Sequence, residues 1–279
     1  MMIKEIPFTK ISATGNDFIL FDMIANASAD QILQQAFFRA ICKRRTGAGA
    51  DGILLIEKSK IADFKMRYLN ADGREVEMCG NGARAAAFYA FHAGHAPVQS
   101  KFDVQGVVYE ALVEGKAVSL FMHPPEEMAL KPGILEHDDI EEGGVARVGV
   151  PHYVLLTKSI FDTDVAKLGR FYCHHERFKP AQTNVNFVEI NVHNELEIRT
   201  WERGVEAETL ACGTGAVASA FIASKLHGIS FPITLRAAGG TLTVAIDKHK
   251  ERPLLHGEVK IPYSGKLRLD AFATELAVA

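Results

Sequence analysis

The 279-residue chain is poor in cysteine, has no Cys-x-x-Cys pair and carries no surplus of positive charge. Four cysteines (Cys42, Cys79, Cys173 and Cys212) are too few for a disulfide scaffold. Without Cys-x-x-Cys the usual zinc spacings are missing. With 31 Lys+Arg against 34 Asp+Glu there is no basic stripe, which argues against a nucleic-acid partner. The opening MMIKEIPFTK lacks the apolar stretch of a secretory signal. The run Leu210–Ser224 is uncharged for 15 residues but holds two glycines. It falls short of the roughly 20 apolar residues that cross a bilayer. These absences lead us to expect a cytoplasmic protein with reduced thiols and no membrane partner. The sequon Asn26-Ala27-Ser28 then has no consequence. A hydrophobic share of 48% with balanced charge excludes a disordered chain.

What the chain does contain is a repeat of itself. KMRYLNADGREVEMCGNGARAA, from Lys65, aligns with EIRTWERGVEAETLACGTGAVAS, from Glu197. Their cysteines, Cys79 and Cys212, are 133 positions apart. GADGILLIE from Gly49 aligns with TNVNFVEI from Thr183, and Asp17–Leu20 with His152–Leu155, at nearly the same offset. Three segments in one order at one offset imply a duplication. The Pro124 to Gly144 stretch, rich in Pro, Glu and Gly, reads as the join. We expect a first half of residues 1–124 completed by 263–279, and a second half of residues 125–262.

Apolar and β-branched runs predict strands at Phe18–Phe21, Ile53–Ile56, Lys65–Tyr68, Val118–Met122, Tyr153–Leu156, Asn186–Ile190, Glu197–Trp201, Thr241–Ile246 and Gly257–Ile261. Helices are predicted over Asp30–Cys42, Gly82–Ala93, Ile160–Tyr172 and Gly215–Leu226. The second and fourth are apolar nearly all round, the mark of a buried helix. The fold class is therefore α+β: two pseudo-symmetric halves, each a curved, mostly antiparallel sheet wrapped around a central helix.

Cys79 precedes Gly80-Asn81-Gly82, and Cys212 precedes Gly213-Thr214-Gly215. Each cysteine thus stands at a helix N-terminus, where unpaired N–H groups receive an anion and favour a thiolate. Glycine lets a ligand carboxylate approach the bare backbone. Two such elements predict a pair of thiols facing one cleft. This arrangement suits inversion of an amino-acid stereocentre. One sulfur takes the Cα proton, the other delivers one from behind, and the helix ends stabilise charge developing on the carboxylate. Such chemistry needs no metal and no cofactor.

The motifs ATGNDFILFD (13–22), GAGADGILLIE (47–57), YLNADGREVEMCGNGARAAA (68–87), GVPHYVLL (149–156), TNVNFVEI (183–190) and WERGVEAETLACGTGAVA (201–218) run nearly the length of the chain. On them the sequence resembles the diaminopimelate epimerases, cofactor-independent enzymes of lysine and cell-wall precursor synthesis. The resemblance implies epimerisation of LL-2,6-diaminopimelate to the meso form, with Cys79 and Cys212 as the acid–base pair. Gly80, Asn81, Gly213 and Thr214 would surround the reacting carboxylate. Asn16, Asn70, Asn184, Glu202 and Arg203 would hold the rest of the substrate. His152 and Glu202 would tune the thiols, and Tyr263 would contact the second subunit of a homodimer. Two positions depart from the family pattern: Val150 stands where many members have Asn, and Gly52 where some have Gln.

Other readings stay open on sequence alone. The chain could be a broader cofactor-independent racemase of the same fold, or a non-catalytic amino-acid-binding member. Cys79 and Cys212 could be buried packing thiols or a structural disulfide, as Cys42 and Cys173 are expected to be packing residues. Cys173-His174-His175 is expected to be a loop. Gly80 to Ala85 and Gly213 to Ala218 fit the dinucleotide pattern G-x-G-x-x-A, but that pattern needs a buried parallel strand before it. Glu202 and Arg203 could be a surface ion pair.

Overall fold

Phe18–Phe21 and Ile53–Ile56 are apolar at every position and buried throughout. A strand reads this way when both faces of its sheet are covered. The computed structural model describes residues 4–27, 34–76, 78–130, 140–249 and 251–277 and shows what covers them. The chain divides into residues 1–120 with 258–279, and residues 121–257.

The first unit contains β1 (Glu5–Ala13), β2 (Asn16–Asp22), α1 (Gln35–Cys42), β3 (Gly52–Glu57), β4 (Phe64–Asn70), β5 (Glu75–Val76), α2 (Gly80–His92), β6 (Gln99–Val104), β7 (Val107–Glu114) and β8 (Ala117–Phe121). Strands β2–β3 and β4–β6 pair in parallel, and β1–β2, β3–β4, β6–β7 and β7–β8 antiparallel. Helix α2 packs against β1, β2, β3, β4, β6 and β7, so the strands surround it. An added Cβ on its Gly82 would lie 3.2 Å from Leu54 and 3.7 Å from Phe18. The alternate residues Ile19, Phe21, Ile53 and Leu55 point the other way. They form a second core with Phe37, Phe38 and Ile41 of α1 and with Leu267, Leu269 and Phe272.

The second unit repeats the plan with β9 (Glu126–Leu130), β10 (Ile140–Val148), β11 (Val150–Thr157), α3 (Val165–Cys173), β12 (Asn184–Ile190), β13 (Leu196–Glu202), β14 (Ala207–Thr209), α4 (Gly213–His227), β15 (Ile233–Ala237) and β16 (Gly240–Ile246). Strands β11–β12 and β13–β15 pair in parallel, and the other pairs of the unit are antiparallel. Helix α4 touches β10, β11, β12, β13, β15 and β16. On the outer face Tyr153, Leu155, Val185, Phe187 and Trp201 pack with Val165, Leu168 and Tyr172 of α3. The long strand β17 (Pro253–Arg268) pairs with β16 and then, in the first unit, with β1; α5 (Ala273–Ala277) follows it. Among the described residues no helix is long and apolar enough to cross a membrane.

Several predicted boundaries need correction. Helix α1 begins at Gln35; positions 30–33 of its predicted span lie outside the described residues. Helix α3 begins at Val165, not Ile160. A turn comes first, with Thr163 Oγ1 donating to Ser159 O at 2.7 Å, and Asp164 then caps Lys167 N–H at 3.0 Å. Cys173 closes α3, so it does not lie in the expected loop, whereas His174, its C-cap, and His175 lie in the turn that follows. Helices α2 and α4 start two residues earlier than predicted, which makes Cys79 and Cys212 their N-cap residues. Strands β1, β5–β7, β9, β10, β14 and β15 were not anticipated, because most lack strict alternation of apolar and polar residues.

Candidate active site

In the first unit Cys79 has extended backbone (φ −124°, ψ 115°) and its sulfur accepts the Gly82 N–H at 3.4 Å. The thiol lies 3.7 Å from Asn16 Oδ1, at the start of β2. Asn16 is fixed by donating from Nδ2 to Asp51 at 3.0 Å. Asp51 and Asp17 share Arg44, and Asp17 also pairs with Lys10 at 2.6 Å. Burial opposes the charge on Asp17, yet bonds from Arg44 and Lys10 hold its carboxyl well below the usual carboxylate range. Asn81 is buried and its Oδ1 accepts from Arg84 at 2.8 Å. Asn70 ends β4 opposite Gly52 and is exposed. Gly52 has a packing reason: a Cβ there would meet Leu69 O and the Tyr68 ring, each at 2.6 Å.

In the second unit Cys212 has nearly the same backbone (φ −118°, ψ 113°). Its sulfur lies 3.5 Å from Thr214 Oγ1 and shares a hydrogen bond with Glu202. Glu202 also accepts from Thr209 Oγ1 at 2.6 Å, and burial pushes its carboxyl up. Asn184 Oδ1 accepts the Arg203 N–H at 3.0 Å, and the Arg203 guanidinium donates to Ala181 O. Glu202 and Arg203 form no ion pair with each other, so the surface-pair reading fails. His152 is buried, with Nδ1 3.0 Å from Asn186 Oδ1 and Nε2 unpartnered. Burial pushes its imidazole down to about 4, so the ring is neutral near pH 7. The structure thus seats His152 on Asn186 and not on a sulfur. Val150 opens β11 and is half-buried.

Each unit therefore offers a sulfur at the mouth of a buried helix, with first-turn N–H groups beside it. Asn16, Cys79, Gly80 and Asn81 come together in one unit, and Cys212, Gly213, Thr214 and Glu202 in the other. The dinucleotide reading fails, since β5 and β14 are short, partly exposed and antiparallel to their neighbours. None of the four cysteines is in a disulfide. Cys42 and Cys173 are buried core residues, and burial pushes the Cys42 thiol up to about 12. Cys173, His174 and Glu206 bring ligand atoms within 4.8 Å of one another, with His174 bonded to Glu206 at 2.8 Å. Sequence reasoning missed Arg84, Asp51, Asn186 and Thr209. Only Arg84 left a signal, as the one charge in a run of small apolar helix residues.

The diaminopimelate epimerase family profile matches residues 8–125 and again 144–261. The diaminopimelate epimerase of Chlorobaculum tepidum is 37% identical over 93% of this chain and 100% of its own length. That of Archaeoglobus fulgidus is 34% identical over 95% and 98%. The chain also shares its fold with a phenazine biosynthesis protein of the PhzF family from Bacillus anthracis. That match has a TM-score of 0.72 at 14% identity and covers 95% of this chain and 99% of the other. A hydroxyproline epimerase from Agrobacterium vitis matches with a TM-score of 0.66 at 14% identity, covering 96% and 93%. On the two profile matches and the near full-length identity, this chain belongs to the diaminopimelate epimerase family of isomerases.

Proposed function

We propose that the protein epimerises LL-2,6-diaminopimelate to meso-diaminopimelate, a step of lysine and peptidoglycan precursor synthesis, with two cysteines and no cofactor. One of Cys79 and Cys212, as thiolate, takes the Cα proton. The other, as thiol, gives a proton to the opposite face, and the pair ends the turnover with its protonation states exchanged. Between the two transfers the Cα electron pair is delocalised into the carboxylate. That carboxylate is received by the N–H groups of Gly80, Asn81, Gly213 and Thr214. Asn16, Asn70, Asn184, Glu202 and Arg203 hold the remaining polar groups. His152, through Asn186, and Glu202 set the surroundings of the second thiol.

The observation that carries this reading is the duplicated cap: two cysteines outside any disulfide, each the N-cap of a buried helix that starts Gly-x-Gly. A binding module has no use for a matched pair of this kind. The test is Cα-hydrogen exchange in deuterated water with LL-diaminopimelate, lysine, proline and trans-4-hydroxyproline. Exchange and inversion of diaminopimelate alone support the proposal, and turnover of a proline in its place makes this a racemase of another substrate class. Cys79→Ala and Cys212→Ala should each abolish inversion; near-normal turnover in either removes the two-thiol mechanism. Chelator-treated, dialysed protein should keep full activity.

The same reading includes a cytoplasmic homodimer. Its support is a pair of exposed apolar residues two positions apart on β17, Ile261 and Tyr263, 39% and 48% exposed, with Tyr263 edge-on to Phe8. Sedimentation of Tyr263→Ala as a monomer would bear on this directly.

A further inference from the structure

Arg84 is fully buried in the middle of α2, and the groups that accept its hydrogen bonds are all neutral. Its Nη2 donates to Thr14 Oγ1 at 2.9 Å and Asn81 Oδ1 at 2.8 Å, its Nη1 to Gly80 O at 3.4 Å, and its Nε has no partner. Removing a guanidinium from water is costly unless an opposite charge compensates it. Burial lowers its proton affinity only to about 10, so it remains a cation at neutral pH, and the neighbouring Cys79 works in the opposite direction. The three acceptors lie around Cys79. Gly80 and Asn81 follow it in the chain, and Thr14 is two residues from Asn16, whose Oδ1 faces the sulfur.

Among the described residues, other charged groups on the strands packed against α2 have partners of their own. Lys10 on β1, Asp17 on β2, and Arg44 and Asp51 before β3 form one cluster of two cations and two anions, with Asn16 between Asp51 and the sulfur. On β3, β4 and β5, Glu57, Lys65, Arg67 and Glu75 likewise pair together. Glu114 on β7 bonds to Ser119, and Asp103 on β6 bonds to Gly106 N–H. The equivalent position of the second unit carries no cation: five residues after Cys212 stands Val217, fully buried. There the charged neighbour of the sulfur is the carboxyl of Glu202.

We propose that Arg84 is a positioning residue for Cys79, its buried guanidinium supplying the counter-charge that favours the Cys79 thiolate while fixing Asn81 and the Thr14 turn. The two thiols are thereby made unequal, one within the influence of a buried cation and the other hydrogen-bonded to the Glu202 carboxyl. The catalytic consequence rests on the two-thiol reading above, but the effect on the sulfur does not.

The test is pH-dependent iodoacetamide alkylation of the full-length protein, read separately at the Cys79 and Cys212 peptides by mass spectrometry, with kcat measured alongside. In the wild type the Cys79 midpoint should lie below both the Cys212 midpoint and the ordinary thiol value of about 8.5. Arg84→Met should raise the Cys79 midpoint by about one unit or more, slowing its alkylation at pH 7 roughly tenfold, and leave Cys212 unmoved. Its kcat should recover as pH is raised, which a merely structural defect would not do. Arg84→Lys should keep the midpoint within a few tenths of a unit of wild type. A folded Arg84→Met with an unmoved Cys79 midpoint overturns the proposal. So does a wild-type Cys79 midpoint at or above that of Cys212, and that outcome needs no variant to fold. If Arg84→Met does not fold, a rise of a full unit in Arg84→Lys overturns it as well. Should Cys79→Ala retain turnover while the Arg84 effect on alkylation holds, the two-thiol reading fails and this inference stands.

Discussion

The imidazole Nδ1 of His152 lies 3.0 Å from Asn186 Oδ1, with the ring fully buried under α4. Asn186 is held in turn by Thr200 and by Gly215, where a Cβ would lie 2.5 Å from the Asn186 amide. The start of the Cys212 helix, the amide and the imidazole therefore form one packed stack. A carbonyl oxygen accepting at Nδ1 makes Nδ1 the protonated nitrogen, and Nε2 carries a buried lone pair.

This stack gives acid sensitivity with a definite sign. Burial holds the folded imidazole near 4, against about 6.5 in the unfolded chain. Between those values the unfolded state binds a proton that the folded state does not, so the contribution is complete above about pH 6.5 and is lost as pH falls toward 4. The full span corresponds to a loss on the order of 3 kcal/mol. Denaturant midpoints at pH 7 and pH 4.5 should therefore differ less in His152→Gln than in the wild type. An equal pH dependence in both proteins would show that His152 is not the group responsible.

Glu202 should matter through Cys212. Its carboxyl, raised by burial, meets both the Cys212 thiol and Thr209 Oγ1. Removing a hydrogen bond to a charged group costs about 1.5–3 kcal/mol, so Glu202→Gln should lower kcat/KM roughly ten- to a hundredfold. With the negative charge gone, the Cys212 thiolate forms more readily, and alkylation of Cys212 should begin at lower pH than in the wild type. A slower enzyme with unchanged Cys212 alkylation would reduce Glu202 to substrate binding alone.

The duplication was legible because a chain that repeats a strand–turn–helix unit repeats its pattern of apolar runs and glycines. Cys79-Gly-Asn-Gly and Cys212-Gly-Thr-Gly marked both helix mouths, and the apolar Ala85–Phe88 and Val217–Ile222 marked both central helices. The partners of each sulfur were less legible. Asn16 lies 63 positions before Cys79 and meets it only through the pairing of β2 with the strands around α2. Asp51 and Thr209 look like ordinary loop and strand residues until register brings them in. The strand Val107–Glu114 was hidden because Val107 and Val108 are apolar yet exposed, so its sequence does not alternate, although its buried positions Ala111 and Val113 do. Gly52, a departure from the family pattern in sequence, has a local cause in space.

That cause is testable. The Tyr68 ring occupies the place of any side chain at position 52. Gly52→Ala should destabilise the protein by about 1–3 kcal/mol, the usual cost of overpacking. In the background of Tyr68→Ala the same change should cost much less, since the ring is gone and only Leu69 O remains close. The double-mutant cycle in denaturant measures the difference directly. Additive effects would place the strain on the backbone carbonyl alone.

The far end of the substrate is where Val150 enters. Diaminopimelate carries a second ammonium and carboxylate, and each must find a partner when it leaves water. In the proposed assignment Arg203 receives the distal carboxylate. Its guanidinium is tied to Ala181 O on one side and its own N–H to Asn184, which holds it in one place. A site built to pair polar groups rejects analogues lacking them by roughly 10⁴–10⁵. Lysine, without the distal carboxylate, should therefore be a very poor substrate. Val150 opens β11 two residues before His152; if, as the resemblance implies, Asn is the family pattern there, the proposed site forgoes a hydrogen bond worth about 0.5–1.5 kcal/mol. Val150→Asn should then raise the preference for LL-diaminopimelate over lysine by up to about tenfold, through kcat/KM for diaminopimelate and not through a loss on lysine. Arg203→Met should erase most of the discrimination in either background. If kcat/KM for lysine already approaches that for diaminopimelate in the wild type, the role given to Arg203 is wrong, because an unpaired guanidinium at that point would have excluded it.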